Sequence, residues 1–123
     1  DVIVSDHTPE DEESKRLPFA QAATGSIGVE TLLSLALEMY HNESLPLKKI
    51  IETLTINPAK ILKINKGSLK TGNDADICIF DLNKPWVVKA DDLKSKSKNT
   101  AIEDRKLQGK VIMTFLNGNL VYK

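Results

Sequence analysis

The first ten residues, Asp1–Glu10 (DVIVSDHTPE), predict a short buried strand that runs directly into polar chemistry. Val2–Val4 have the apolar character of a strand, and Asp6 and His7 stand at its carboxyl end. Barrel enzymes place catalytic groups at the carboxyl ends of such strands. Asp6 could bind a divalent metal and accept a proton from water, or it could cap backbone N–H groups of the following loop, and the sequence leaves both interpretations open.

Three helices are predicted beyond this opening, from apolar residues that recur at spacings of three and four. The first begins after Gly28. The second has Ser44 or Leu45 as its cap and the third is capped by Asn57, each with a proline in its first turn. None of these helices supplies a strand partner for Val2–Val4.

The C-terminal half of the chain predicts strands. A short strand lies between Gly67 and Gly72, two more are ICIF and WVVK, and the chain closes on a hairpin whose Asn117-Gly118 pair indicates a type I′ turn. A lone strand leaves its backbone N–H and C=O groups unpaired. The opening strand is therefore expected to pair either with this distant hairpin or with strands outside the chain, and we favour the second.

Composition narrows the class of protein. The chain has 123 residues and a formal net charge of zero, which disfavours a nucleic-acid or anionic-membrane partner. Its only basic cluster, Leu93–Thr100 (LKSKSKNT), predicts a solvated loop. The single cysteine, Cys78, cannot form an internal disulfide, so a reducing cytoplasm is expected. No apolar run reaches the roughly 18 residues of a membrane span. No signal peptide is visible and there is no initial methionine, so we expect a processed chain or a piece of a longer one.

Other chemistry-bearing residues are few. The acidic run Glu10–Glu13 could serve acid–base chemistry or form a solvated turn with local ion pairs to Lys15 and Arg16. Gly25 and Gly28 form a spaced-glycine loop before a helix, which could cradle an anion with backbone N–H groups. The two histidines lie far apart in the sequence. A zinc site needs at least three protein ligands, so these residues alone cannot complete one.

Six motifs, taken together and in order, point to one family. The stretches are SDHTP, PFAQAATGSIGVET, INPAKIL, GSLKTGNDADICIFD, SKSKNT and GKVIMTFLNGNLVY. They resemble the C-terminal third of dihydroorotases, in the bacterial branch of the amidohydrolase superfamily that is related to hydantoinases and allantoinases. The resemblance covers essentially the whole chain.

The resemblance implies an α/β fold made of two parts. Residues 1–65 would form the end of a metal-dependent (β/α)8 hydrolase barrel, with the last strand, the active-site loop and the terminal helices. Residues 66–123 would form part of a small β-sandwich that a missing N-terminal segment completes. In this part, the residues that match the family's sandwich motif are structural: Gly67, Gly72, Ala75 and Asp76.

The resemblance also implies site residues. Asp6 matches the aspartate that contacts the zinc centre and shuttles a proton, with the remaining zinc ligands upstream of this chain. Gly25 falls in the loop whose backbone approaches the substrate ring. Glu10 stands where the family commonly has a histidine that holds the substrate carboxylate. A carboxylate there would repel an anionic substrate, unless Glu10 turns out to solvent with Lys15 or Arg16 or the substrate lacks that carboxylate.

The implied activity is zinc-dependent cyclic amide hydrolysis in the cytoplasm. The reaction would be the reversible cyclisation of N-carbamoyl-L-aspartate to L-dihydroorotate in pyrimidine biosynthesis, and the segment alone is expected to be inactive. Two alternatives are an inactive dihydroorotase-like subunit that supports aspartate carbamoyltransferase, and a hydantoinase-type cyclic amidase. The expected partners are a small-molecule substrate, the remainder of its own barrel, and either a second copy in a homodimer or aspartate carbamoyltransferase. No nucleic acid and no membrane are expected.

Overall fold

The computed structural model describes residues 1–123, with helices in the first half of the chain and an antiparallel sheet in the second. The helices are α1 (Glu12–Lys15), α2 (Leu32–His41), α3 (Leu47–Leu54) and α4 (Ile56–Ile61), and the strands are β1 (Ile77–Val87), β2 (Lys106–Leu116) and β3 (Asn119–Tyr122), with a 3-10 turn at Ala90–Asp92. This order confirms the prediction of helices followed by strands. None of the helices is long and apolar enough to cross a membrane.

Helix α2 packs directly on strand β2. Leu37 of α2 is fully buried, and a Cβ added to Gly109 would lie 2.3 Å from its Cδ1 atom. Gly109 also has a φ of +92°, which glycine adopts without strain. The Ser34 hydroxyl donates to the Gly109 carbonyl, and the indole N–H of Trp86 donates to the same carbonyl at 3.2 Å. Gly109 is therefore a point of close contact between the helix and the sheet.

The predicted starts of α3 and α4 are wrong by one or two residues. Helix α3 begins at Leu47 with Pro46 at the capping position, in place of Ser44 or Leu45. Helix α4 begins at Ile56, because Thr55 both ends α3 and precedes α4. The predicted cap of α4, Asn57, lies inside the helix, and its amide donates to the Asp1 carbonyl at 2.8 Å. The proline of α4 still lies within the first turn, where the backbone N–H has no helical partner.

The sheet has the strand order β1-β2-β3. ICIF and the first two residues of WVVK belong to one strand, β1, which pairs with β2 from Ile77↔Phe115 to Val87↔Lys106, whereas Val88 and Lys89 lie beyond its end. Asn117 and Gly118 have φ values of 50° and 78°, which confirms the tight turn predicted for the hairpin. The short strand predicted between Gly67 and Gly72 is absent. That segment turns instead, with both glycines at positive φ.

The opening segment forms no strand in this structure, so Val2–Val4 differ from their prediction. Ile3 donates its N–H to the Thr53 carbonyl at 3.2 Å, and His7 makes an isolated parallel bridge with Ser26. Pairing with the distant hairpin is therefore wrong, since the sheet contains only β1, β2 and β3. The reason is physical: a strand needs a continuous ladder of partners, and the helices nearby offer single carbonyls. Pairing with strands outside the chain stays a prediction.

The hydrophobic core lies beneath the loops. Ile27, Val88, Leu93 and Leu107 form one buried cluster. Ile27 and Leu93 belong to loops, while Leu107 belongs to β2 and Val88 directly follows β1. Burial of these side chains therefore fixes the base of two loops on the sheet.

Candidate active site

Three segments meet at the end of the opening segment. We call them the first loop (Asp6–Glu10), the second loop (Ala23–Gly28) and the strap (Leu93–Thr100). The first and second loops run side by side through the parallel bridge between His7 and Ser26. The strap lies against both loops and brings together residues more than seventy positions apart in sequence. These segments carry all three of the predicted site residues.

Asp6 presents a free carboxylate. Its side chain is exposed, and its backbone has a φ of 46°, in the left-handed region that aspartate and asparagine tolerate better than most residues. The Thr8 hydroxyl donates to the Asp6 main-chain carbonyl at 3.0 Å, whereas the carboxylate accepts no hydrogen bond from the chain. Asp6 therefore does not act as a loop cap, and its carboxylate remains available for other chemistry.

Both histidines are committed to structural contacts. The Nδ1 atom of His7 accepts the N–H groups of Gly28 at 3.1 Å and Val29 at 3.4 Å. The Nε2 atom of His41 lies 3.1 Å from the Leu82 carbonyl of β1. The contacts of His7 also occupy the amides that the spaced-glycine interpretation offered to an anion, so that interpretation is wrong for Gly28.

The chain does not by itself form a metal site. No group of three or more histidine, cysteine, aspartate or glutamate side chains lies close enough to hold an ion. Asp6 supplies one oxygen ligand, and its neighbour His7 points its Nδ1 atom at the second loop. Because a zinc site has at least three protein ligands, Asp6 could supply only one of the ligands that such a site needs.

Glu10 is held through its backbone and not through its side chain. Its N–H donates to Asn99 Oδ1 at 3.2 Å, and its carbonyl accepts the Ser97 hydroxyl. The Glu10 carboxylate makes no ion pair or hydrogen bond within the chain. The loop position is thus fixed while the negative charge is left without a partner.

The expected partners of Glu10 are occupied elsewhere. Lys15 donates its ammonium to the carbonyls of Ala23 at 2.7 Å and Gly25 at 3.1 Å. Arg16 pairs with Glu12 and Glu13 of α1, whose side chains are exposed. Pairing of Glu10 with Lys15 or Arg16 is therefore wrong in this structure. The acidic run that follows Glu10 forms a solvated helical turn with local ion pairs, which was one of its two interpretations.

Helix α1 is fixed by its own cap and by the second loop. The Asp11 carboxylate accepts the Ser14 N–H at 2.8 Å, and this hydrogen bond lowers the pKa of Asp11. The Ser14 carbonyl in turn accepts the Ala23 N–H at 3.1 Å. The helix therefore supports the second loop in addition to the strap.

Gly25 allows the two loops to touch. A Cβ at this position would lie 2.8 Å from Thr8 Cγ2, and the Gly25 φ of +128° is one that side chains rarely permit. A Cβ on Gly28 would lie 2.9 Å from the Ser5 carbonyl oxygen. The Gly25 carbonyl accepts both the Lys15 ammonium and the Asn99 amide. The glycines are thus required by close approach, and the loop backbone stays exposed at Gly25.

The strap corrects the prediction of a solvated loop. The side chains of Lys94, Lys96 and Lys98 are exposed, whereas the intervening Ser95, Ser97 and Asn99 are partly buried against the loops. Only one face is therefore solvated. Sequence reasoning missed Ser97 and Asn99, although the strict alternation of lysine with small polar residues is the period of an extended segment with two different faces.

Glu30 anchors the other end of the strap, and sequence reasoning missed it too. Its two carboxylate oxygens accept the N–H groups of Lys94 at 2.8 Å and Ser95 at 3.0 Å. Leu93, the preceding residue, is buried in the core next to Ile27. A carboxylate paired with two adjacent N–H groups fixes a backbone direction, so the strap leaves the core along a defined path.

A half-open groove of about 590 Å³ lies beside these loops, between α2, the sheet and the start of the strap. Its walls include His7, Leu33, Trp86 and Lys110. Asp6, Glu10 and Gly25 do not line it. The predicted site residues therefore lie outside this groove.

Asp76, one of the residues that match the sandwich motif, belongs to a separate polar cluster, here called the hairpin tie: Lys66, Asp74, Asp76 and Asn117. The Lys66 ammonium contacts Asp74 at 2.7 Å and Asp76 at 2.6 Å. The Asn117 N–H donates to the Asp76 carboxylate at 2.8 Å. The hydrogen bond from Lys66 lowers the pKa of Asp76, and the hydrogen bond to Asp74 is the largest cause that raises the pKa of Lys66. Asp76 therefore pairs locally, as the resemblance implies.

The comparisons with known proteins agree on one family. Residues 1–121 match the model of the Amidohydrolase family. The chain is 44% identical over 123 residues to the dihydroorotase of Ehrlichia chaffeensis. The matched region covers 100% of this chain and 28% of that protein. It is 45% identical over 123 residues to the dihydroorotase of Aquifex aeolicus, covering 100% of this chain and 29% of that protein. The chain thus spans less than a third of the length of these curated relatives.

Solved structures share the fold. The dihydropyrimidinase of Brevibacillus agri aligns with a TM-score of 0.92 at 22% identity, covering 99% of this chain and 28% of that one. The L-hydantoinase of Arthrobacter aurescens aligns with a TM-score of 0.78 at 31% identity, covering 85% of this chain and 24% of that one. Loops, helices and hairpin therefore have the arrangement that a corresponding part of those larger proteins has.

Proposed function

The chain belongs to the amidohydrolase family, and we propose that it is the C-terminal part of a dihydroorotase that catalyses the reversible cyclisation of N-carbamoyl-L-aspartate to L-dihydroorotate. The observation that supports this choice is the match to dihydroorotases at 44% and 45% identity over the full 123 residues. The proposal includes the division into a barrel end, residues 1–65, and a sandwich portion, residues 66–123. It also includes a cytoplasmic location.

Asp6 is the proposed catalytic residue. In the hydrolytic direction a water oxygen bonds to the ring amide carbonyl carbon, the C–N bond breaks, and the leaving nitrogen gains a proton. A carboxylate that takes the proton from the attacking water and returns it to the nitrogen satisfies both needs. The exposed Asp6 carboxylate has no hydrogen-bond partner in the chain, so it is free to make that transfer.

Zinc is part of the proposal, with Asp6 as one ligand. The remaining ligands must come from outside these 123 residues, because no cluster of three metal-binding side chains exists here. We therefore expect the isolated segment to be inactive and to carry no stoichiometric zinc. Metal content after gel filtration of the segment measures this, and tightly bound equimolar zinc would contradict the assignment of Asp6 as a single ligand.

Glu10 and Gly25 are the proposed substrate-side residues. The Gly25 backbone is exposed where the two loops touch, so a flat ring can approach it closely. Glu10 keeps its place through Asn99 while its carboxylate stays unpaired. A fixed negative charge there weakens the binding of a substrate that carries its own carboxylate.

That unpaired charge favours a second candidate function. A hydantoinase-type cyclic amidase acts on a ring without the extra carboxylate, and such a substrate would not be repelled by Glu10. The likeness to the L-hydantoinase at 31% identity supports the same alternative. The two candidates differ only in the substrate that the same loops would accept.

The test is a substrate profile of the full-length protein that carries this segment. Steady-state hydrolysis of L-dihydroorotate is compared with hydrolysis of unsubstituted hydantoin and dihydrouracil, with the zinc content measured in parallel. A dihydroorotase shows the higher kcat/KM on dihydroorotate. Preference for the neutral rings would support the second candidate, and no turnover by a zinc-loaded protein would leave the inactive-subunit alternative.

A further inference from the structure

The side chain of Asn99 joins both loops of the candidate site. Its Oδ1 atom accepts the Glu10 N–H at 3.2 Å, and its Nδ2 atom donates to the Gly25 carbonyl at 3.3 Å. One partner can only donate and the other can only accept. An amide supplies both functions in one planar group, whereas a carboxylate lacks the donor.

The main chain of Asn99 adds a second pair of contacts. Its carbonyl accepts the Ile27 N–H at 3.1 Å and the Ser26 hydroxyl at 3.2 Å. Ser97 contributes from the same face of the strap, because its hydroxyl lies against the Glu10 carbonyl and Asn99 Oδ1. The end of the strap therefore touches each loop at more than one atom, which fixes their separation.

The strap has a firm base from which to hold the loops. Leu93 is buried in the core beside Ile27, and Glu30 holds the next two N–H groups. The position of Asn99 is thus determined by the core and by Glu30, which lies just before helix α2, and not by the two loops alone. Because the strap is anchored to rigid elements, its contacts restrict the movement of the loops that carry the candidate site.

We propose that Asn99 is a positioning residue, which holds the Gly25 backbone at the spacing that the substrate ring requires and fixes the backbone of Glu10 beside it. The inference rests on the proposed function, since it assigns these two residues to the substrate. Asn99 itself acts through the two loops and does not contact the reacting atoms. Its loss therefore weakens substrate binding more than it slows the chemical step.

The experiment uses Asn99→Ala and Asn99→Asp in the full-length protein, with Lys96→Ala as the matched control. Lys96 lies on the same strap, but its exposed side chain makes no hydrogen bond or ion pair. KM and kcat are measured for dihydroorotate, and amide hydrogen exchange is followed at Glu10 and Ile27. Ile27 serves as an internal reference, because its N–H bonds to the Asn99 main chain, which the substitutions retain.

Asn99→Ala is expected to raise KM about tenfold or more while kcat stays within about threefold, as the loss of two hydrogen bonds suggests. Exchange at Glu10 accelerates about tenfold and exchange at Ile27 does not change. Asn99→Asp keeps the acceptor for Glu10 and loses the donor for Gly25. It is expected to leave Glu10 exchange slow and to raise KM to an intermediate value.

The inference is overturned if Asn99→Ala matches Lys96→Ala in both KM and Glu10 exchange, or if it lowers only thermal stability. If the wild type does not hydrolyse dihydroorotate, the proposed function fails. The positioning role of Asn99 is then tested by amide hydrogen exchange at Glu10 alone. Faster exchange in Asn99→Ala only would support the positioning of the loop, and equal rates in the two variants would refute it. Ser97→Ala, which removes one hydroxyl, provides a milder variant if Asn99→Ala does not fold, with the same expected direction.

Discussion

The candidate site and the hairpin tie use charged residues in opposite ways. At the hairpin tie, Asp76 is paired with Lys66 and accepts a backbone N–H as well. In the site loops, Asp6 and Glu10 have no partner for their carboxylates, although the loops around them are densely hydrogen bonded through neutral groups. Acidic side chains are thus held by structural contacts at the hairpin tie and left without a partner in the site loops.

The Asp76 carboxylate has a structural role, whereas the carboxylates of Asp6 and Glu10 are free for the roles proposed above. A charge held by a cation and an N–H group stabilises a local conformation, and its pKa moves away from its ordinary value, as it does for Asp76. A charge held by nothing contributes little to folding and remains available to a substrate or metal. The contrast predicts that substitutions in the two regions affect different quantities, and the predictions below follow from it.

Asp6→Asn in the full-length enzyme has the largest expected effect. Loss of the proton carrier lowers kcat about 10²–10⁴-fold, the range typical of general acid–base groups. The fold should be retained, because asparagine tolerates the left-handed backbone at this position and the carboxylate makes no hydrogen bond. Steady-state turnover and circular dichroism measure the two quantities. A loss of less than tenfold would mean that Asp6 has no part in the chemistry.

Glu10→His tests the second unpaired charge. Replacing repulsion by attraction near a partly buried site is worth on the order of a few kcal/mol at an effective dielectric near 20, which corresponds to a roughly hundredfold fall in KM for dihydroorotate. Glu13→His is the matched control, because it makes the same change of charge on an exposed residue of α1. Unchanged or higher KM in Glu10→His would show that the carboxylate does not face the substrate.

Gly109→Ala tests the helix–sheet junction, where apolar contact and not charge determines stability. The added Cβ meets Leu37 at 2.3 Å, and alanine is strained at a φ of +92°. Together these cost about 2–4 kcal/mol of unfolding free energy. Gly72→Ala is the control, since its φ is also +92° but no atom lies within 4 Å. Equal losses of Tm in the two variants would show that backbone strain alone is responsible.

Helix α2 and the hairpin could be predicted from the sequence, whereas the role of the strap could not. Helix α2 and the hairpin follow from local patterns, because the spacing of apolar residues and the Asn117-Gly118 pair act within a few positions. The strap could not be predicted as a support, since Asn99 acts on residues 89 and 74 positions away. The start of α4 was misplaced for a related reason: Thr55 serves two helices at once, and no single-helix rule describes that.

The opening strand shows a different limit. Val2–Val4 have strand character, yet a strand exists only where a partner completes its ladder. Within residues 1–123 the segment finds one carbonyl, that of Thr53. Asp6 was predicted as a site residue all the same, because its place after an apolar run allows that role and the resemblance to dihydroorotases implies it.

Asp76→Asn has the smallest expected effect and a defined pH dependence. The pKa of Asp76 is lowered in the folded protein, so its contribution to stability is present above its unfolded pKa of about 4 and is lost as the pH falls below that value. Asparagine still accepts the Asn117 N–H but cannot pair with Lys66. Urea unfolding should therefore show the wild type slightly more stable at pH 6, with the difference shrinking towards pH 3. A difference that is constant with pH would exclude the ion pair as its cause.

The central proposal is that the free carboxylate of Asp6 serves chemistry while the paired carboxylate of Asp76 serves structure. The most direct measurement compares Asp6→Asn and Asp76→Asn in the same full-length protein, with kcat for dihydroorotate and the free energy of unfolding determined for each. Asp6→Asn is expected to lose at least about a hundredfold in kcat with stability unchanged, and Asp76→Asn is expected to lose stability with kcat retained. A fall of kcat in Asp76→Asn together with full activity in Asp6→Asn would contradict the proposal.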